Sequence, residues 1–223
     1  MKIFAMIPAR MGSQRLPKKN LALIDGAPLI SHAIRKCNAL GLFDEVWVNS
    51  EHPDFAGYAQ VEGAHFHRRP EALGDNAATS EQFVAEFLRK HDCEFVVQVH
   101  SIAPLLTRKD LARFVETVKS NEFDAVMSVV DENLECMFDD EPVNFTFAEK
   151  QNSQDLRPVR RIVWAATAWR KSTFLAAADS GKCATYAGRI GLVAVNRMAG
   201  HVIKTQEDLD FARALWPTMV EGE

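Results

Sequence analysis

Short apolar runs alternate with amphipathic stretches along most of the chain. Residues 2–7 (KIFAMI) read as a buried strand, and 28–40 place Leu29, Ile30, Ala33, Ile34, Cys37 and Leu40 on one helical stripe. Segments 45–50 (EVWVNS) and 64–69 (AHFHRR) predict two further strands. Residues 79–91 predict a helix with Phe83, Val84, Phe87 and Leu88 on one face and Thr79 or Ser80 as its cap. The run 94–100 (EFVVQVH) is apolar throughout, as expected of a central parallel strand. A helix over 107–120 and a strand over 125–130 follow. From 131 to 158 the pattern dissolves into polar, acidic sequence suited to an inserted lobe, a lid or a dimer arm. Strand character returns at 161–169 and 189–196. A closing helix spans 205–216, with Thr205 as N-cap and Asp208 completing an approximate capping box.

This alternation predicts an α/β fold: an open, mostly parallel sheet with helices on both faces and right-handed crossovers. We expect one domain over 1–223, with a small inserted lobe or dimerisation segment at about 131–165. The chain has 223 residues, 47% of them hydrophobic and 25% charged, which suits a single soluble domain with a sizeable core. A net charge of -4 gives no electrostatic footprint for nucleic acid or anionic membrane, so neither is expected as a partner. Cys37, Cys93, Cys136 and Cys183 form no CxxC and no zinc spacing, which fits reduced thiols in a cytoplasm. The N-terminal apolar run stops at Pro8 and Arg10, unlike a signal peptide, and no apolar stretch approaches bilayer length.

Against this acidic background, the exit of the first strand is basic. The stretch IPARMGSQRLPKKN (7–20) carries Arg10, Arg15, Lys18 and Lys19 around small residues. Ligands of open parallel sheets sit beyond the carboxyl ends of the strands. Ala9, Gly12 and Ser13 are small enough to let main-chain N–H groups approach a phosphate, and Arg10, Arg15 and Lys19 supply countercharge. A polyphosphate is the natural ligand. Neither G-x-x-x-x-G-K-[ST] nor G-x-G-x-x-G is present.

The same stretch, followed by LIDGAPLISHAI, resembles the signature of the sugar-acid cytidylyltransferases: the acylneuraminate enzymes, their pseudaminate and legionaminate relatives, and more distantly the Kdo enzyme. RRPEALGDNAATSEQFV, VVQVHSIAPLLTRKDL, SQDLRPVRRIVWAATAW and VIKTQEDLDFA are similar to later family segments, in the same order, over nearly the whole chain. The resemblance implies a Rossmann-like nucleotidyltransferase. It would move CMP from CTP to an acidic acceptor, most simply a nonulosonic sugar acid, and release pyrophosphate. It implies Arg10 and Lys19 on the triphosphate and Ala9, Gly12, Ser13, Asn20, Arg69 and Ser80 around the nucleotide. On the acceptor side His100 stands where the family has a Gln and is a candidate base, Gln98 shares its strand face, Gln154 falls in a matched segment, and Arg157, Arg160 or Arg161 could pair an acceptor carboxylate. A homodimer paired through the small lobe and Mg²⁺ as cofactor are further expectations.

The resemblance fails at particular positions. Val202 and Lys204 stand where relatives place a metal-binding aspartate pair, so Mg²⁺ is expected to ride on CTP phosphates, with Lys204 as a fixed charge. His100, Ile102 and Ala103 replace Gln, Thr and Ser, and the Kdo branch has an Asp at the position of Ile102. Trp164 or Ala165 replaces an Asn, and Asn76 stands for an Asp. Two readings therefore stay open: an active enzyme with an unusual acceptor, a phosphonate or another base among the variants, or a nucleotide-binding homologue without transfer chemistry. His65 and His67 share one side of a strand but have no third ligand nearby, and Asp139, Asp140 and Glu141 read as a solvated loop.

Overall fold

The computed structural model describes residues 1–75 and 77–220. Its strands are β1 (Ile3–Pro8), β2 (Leu23–Ile24), β3 (Ala27–Pro28), β4 (Glu45–Ser50), β5 (His65–Arg68), β6 (Phe95–Val99), β7 (Ala125–Glu132), β8 (Met137–Phe138), β9 (Glu141–Pro142), β10 (Val159–Arg170) and β11 (Ile190–Ala194). Its α-helices are α1 (Leu29–Leu40), α2 (Phe55–Val61), α3 (Ser80–Lys90), α4 (Arg108–Lys119), α5 (Lys171–Asp179) and α6 (Gln206–Val220).

Seven strands form one sheet in the order β11-β7-β10-β6-β1-β4-β5. Every neighbouring pair is parallel except those made by β10, which runs antiparallel to both β6 and β7. The expected α/β architecture with a mostly parallel sheet is therefore present. Strand alternation explains how both faces are covered. Ile3, Ala5 and Ile7 of β1 and Phe95, Val97 and Val99 of β6 pack with Ile30 of α1, Phe55 of α2 and Leu111 of α4. Phe4, Met6 and Val96 point the other way, to Val84 and Phe87 of α3 and Phe174 of α5. A third cluster ties Leu16, Ile24 and Leu29 to Ile203, Leu209 and Ala212, fixing the start of α6 beside the turn that follows β1.

Several local devices match the pattern in the chain. Thr79 caps α3 with a reciprocal capping box to Gln82. Thr107 caps α4 by accepting from the Asp110 N–H. Two helices escape the hydrophobic pattern, α2 and α5, and the register of β10 shifts between Ile162 and Thr167. Residues 133–158 contain the β8–β9 hairpin and a 3-10 turn over Ser153–Asp155. Leu134, Met137, Phe138, Val143 and Phe147 are exposed there. All four cysteines are free, with Cys37 and Cys93 buried. Among the described residues no helix is long and apolar enough to cross a membrane.

Candidate functional site

The chain leaves β1 at the carboxyl edge of the sheet. The Ala9 N–H still bonds to the Asn49 carbonyl at 3.0 Å, so β1 stays aligned with β4 up to the turn. The turn is then closed by its own groups. Ser13 N–H donates to Met11 O at 2.9 Å. Lys18 takes a left-handed conformation (φ 52°) that leads into a 3-10 turn over Lys19–Leu21. Asn20 is buried; its Nδ2 donates to Arg10 O at 3.0 Å and its Oδ1 accepts from Ser101 Oγ at 2.8 Å. One amide thus clips the turn both to its own beginning and to the loop after β6.

These contacts enclose a cavity of about 200 Å³. Ala9, Arg10, Lys19 and Asn20 line one side; Arg69, Phe83, His100 and Ile102 line the other. The cavity is strongly cationic. Lys19 sits half-buried, and burial, then Arg15 and Arg10, then Lys204, push its pKa down, with Asp208 pulling the other way. Burial and the Lys19 ammonium push His100 down to about 4, so its imidazole is neutral at physiological pH. Gln98 Nε2 lies 2.9 Å from His100 Nε2. Arg69 is 4% exposed and lies over the Phe83 ring at 4.7 Å. Its Nη2 donates to Glu51 Oε2 at 3.0 Å, while Nε and Nη1 have no partner among the described residues. Burial depresses the Arg69 pKa, and Glu51 opposes that shift. Two buried nitrogens without acceptors cost on the order of 1–3 kcal/mol each in the empty site, a cost an accepting ligand would remove.

A second cavity of about 290 Å³ lies beside the first, across residues 202–204. Arg161, Trp164, His201, Val202, Lys204 and Asp208 line it. The dividing segment is held by Ile203 N–H donating to Ile102 O at 2.8 Å and by burial of the Ile203 side chain. Lys204 acts on Lys19 from this side, so the two cavities share one electrostatic field.

The residues anticipated from the chain divide into three groups. Ala9, Arg10, Lys19, Asn20, Arg69 and His100 line one cavity. Gly12 and Ser13 lie on the turn itself, but the Ser13 N–H already serves Met11. A Cβ at Gly12 would meet nothing within 4 Å, so the main chain there stays open to an approaching group. The other expected residues are not among those lining this cavity. Gln98 is 1% exposed and its amide is in contact with the His100 imidazole. Ser80 is exposed at the start of α3 and lines neither cavity; Phe83, one turn later, does. Gln154 and Arg157 are exposed between β9 and β10 and line neither cavity, whereas Arg161 lines the second. Asn76 lies outside the described residues. Arg161, one of three arginines that could pair an acceptor carboxylate, lines the second cavity, whereas Glu51 and Phe83 had no site role assigned from the sequence.

The positions where the resemblance places a metal-binding aspartate pair do not fit a divalent cation. Val202 offers no donor and Lys204 brings a positive charge. Asp208 is committed elsewhere: its Oδ2 accepts from the N–H groups of Lys204 and Thr205, both at 2.8 Å. Burial works against its ionisation, but those donors outweigh it and hold the carboxyl below the usual range. Among the described residues no group of three His, Cys, Asp or Glu side chains is arranged to hold a metal.

Comparison with known proteins bears on the family and the fold. A family model described as cytidylyltransferase matches residues 4–215. The chain is 33% identical over 129 residues to the N-acylneuraminate cytidylyltransferase A of Danio rerio, covering 57% of this chain and 30% of that protein. It is 34% identical over 128 residues to the pseudaminic acid cytidylyltransferase of Campylobacter jejuni, covering 55% of each. The chain thus spans between about a third and a half of these relatives. Its fold is similar to a CMP:2-keto-3-deoxy-manno-octonic acid synthetase solved with CTP, with a TM-score of 0.73, 18% identity, and coverage of 98% of this chain and 99% of that one.

Proposed function

The chain belongs to the cytidylyltransferase family, and on that premise we propose that it transfers CMP from CTP to an acidic acceptor of the nonulosonic sugar-acid class. The observation that carries this reading is the pairing, in one cavity, of Arg10 and Lys19 with the unpartnered donors of buried Arg69. The first pair suits a triphosphate; the second suits the acceptor atoms of a base.

The acceptor hydroxyl oxygen attacks the α-phosphorus, the bond to the β-phosphate oxygen breaks, and pyrophosphate leaves with its charge spread over Lys19 and Arg10. Electrostatic stabilisation of this kind supplies much of the rate enhancement in phosphoryl-type transfer. His100 is neutral and half-buried at the cavity wall, able to take the hydroxyl proton once bound anionic oxygens offset Lys19 and raise its basicity. The acceptor enters from the second cavity, where Arg161 and Lys204 face an anionic group and Trp164 offers an apolar wall. Mg²⁺, if it takes part, would come in with CTP and would not be held by this chain's side chains; Lys204 would supply a fixed positive charge in place of a carboxylate pair. The working compartment is the cytoplasm, where CTP is available. Two copies pair through the exposed apolar arm, burying Phe138 and Phe147, each 74% exposed in the single chain.

The test is pyrophosphate release with CTP, Mg²⁺ and a panel of sugar acids and phosphonates. Release with one acceptor class supports the enzyme. Val202 and Lys204 favour the second reading, a nucleotide-binding homologue, and CTP binding without release across the panel would establish it.

A further inference from the structure

The nucleotide cavity has two arms, the basic turn after β1 and Arg69 after β5, and a single carboxylate touches both. Glu51 follows β4 directly, and its side chain is 11% exposed. Its Oε1 accepts the N–H of Met11 at 2.8 Å, one residue beyond Arg10. Its Oε2 accepts from Arg69 Nη2 at 3.0 Å. A third element holds the carboxylate in place. A Cβ built on Gly74, at the end of the 3-10 turn after β5, would lie 2.4 Å from Glu51 Cγ and 2.6 Å from Cδ. Only a hydrogen fits there, so Gly74 permits the Glu51 side chain to pass between the two arms.

An ion pair that merely stabilised the fold would use its donors more fully. Arg69 is 4% exposed yet its Nε and Nη1 have no partner among the described residues, while Glu51 gives one oxygen to the guanidinium and the other to the main chain of the turn. We propose that Glu51 is a positioning residue that joins the two halves of the nucleotide site, aiming the free donors of Arg69 at the nucleoside end while anchoring the turn that holds the phosphates. This rests on the nucleotide reading above. Glu51 touches no reacting atom. It acts through Arg69 and through Met11.

Replacement separates the two roles. Glu51→Gln keeps a carbonyl oxygen for Met11 but turns an amide donor toward Arg69, whereas Glu51→Ala removes both contacts. The experiment measures dissociation constants of two probes, CTP and inorganic tripolyphosphate, by calorimetry. For Glu51→Gln we expect CTP to weaken about tenfold or more and tripolyphosphate by less than about twofold. Glu51→Ala weakens both. In an Arg69→Ala background, Glu51→Gln costs less than about threefold further on CTP, since its partner is already gone. Gly74→Ala displaces the carboxylate without deleting it and reproduces the CTP-selective loss, which guards against a Glu51 variant that folds poorly. Equal weakening of both probes by Glu51→Gln, or its full effect without Arg69, would overturn the coupling role while leaving CTP binding intact. A wild-type protein that binds tripolyphosphate but not CTP would overturn the nucleotide reading and this inference with it.

Discussion

Replacing Lys19 by Met keeps the aliphatic stem and removes only the ammonium. In the empty site that ammonium is disfavoured: burial is the largest cause, and Arg15, Arg10 and Lys204 all repel it. Opposite unit charges at about 4 Å attract by roughly 4 kcal/mol at the effective dielectric of a protein surface. Part of that gain is spent on desolvation and on screening, leaving about 2–3 kcal/mol for a triphosphate, or roughly a 30- to 150-fold change in Kd. Lys19→Met should therefore weaken CTP by that factor. The empty protein should not lose stability, and relief of repulsion should raise its melting temperature by a degree or more, about 0.5 kcal/mol for a chain of this length. The paired assays are CTP titration calorimetry and thermal melts with and without CTP. The expected signature is a slightly higher melt alone and a much smaller CTP-induced rise. A variant that binds CTP as tightly as the wild type would place the triphosphate elsewhere. One that melts well below the wild type would refute the electrostatic argument.

Three further outcomes follow from the same geometry. Burial and His67 push His91 down to about 4, and His100 lies equally low, so both are neutral in the fold. An unfolded histidine takes a proton below about pH 6.5, so stability should fall as pH drops from there toward 4, by about 1–2 kcal/mol per histidine after discounting for solvent access. Urea unfolding at pH 7 and 4.5 measures the fall, and a His91→Asn variant that declines just as steeply would refute the assignment. Val202→Asp with Lys204→Asp should make CTP affinity depend on Mg²⁺ at least about tenfold more than in the wild type; an unchanged metal response by calorimetry would show that these positions do not face the phosphates. Phe138→Glu with Phe147→Glu should convert a dimer to monomer in sedimentation without lowering the melt of the single chain by more than about 1 kcal/mol, since both rings are exposed; an unchanged sedimentation coefficient would remove the arm from the interface.

Much of the sheet was legible because each central strand declares itself locally. IFAMIP and FVVQV are apolar runs too short for helices, and their alternating residues feed two different helix layers. The direction of β10 was not legible: VRRIVWAATAWR has strand character but nothing in it says which way it runs between β6 and β7. The helices α2 and α5 were missed because FAGYAQV is short and α5 is rich in small residues, leaving no clear apolar stripe. In the site, the turn after β1 was readable because charge and small residues are contiguous there. The burial of Gln98 was not legible, because alternation fixes which face of the sheet a side chain takes, not whether His100 covers it. Gln154 and Arg157 follow a segment with no periodic pattern, so nothing local tells which arginine of this stretch lines the second cavity. Glu51 gave no signal at all. An acid after a strand resembles any solvated loop residue until β1, β5 and Gly74 are brought around it in space.

The central claim is that CTP lies across the turn after β1 with its base toward Arg69. A crystal structure of the protein with CTP tests this most directly. We predict phosphate oxygens within about 3 Å of Lys19 Nζ and the Arg10 guanidinium, and the cytosine accepting from Arg69 Nε or Nη1 beside Phe83. Density for CTP in the larger cavity between α3 and the end of α5, about 520 Å³, with the turn unoccupied, would contradict the account.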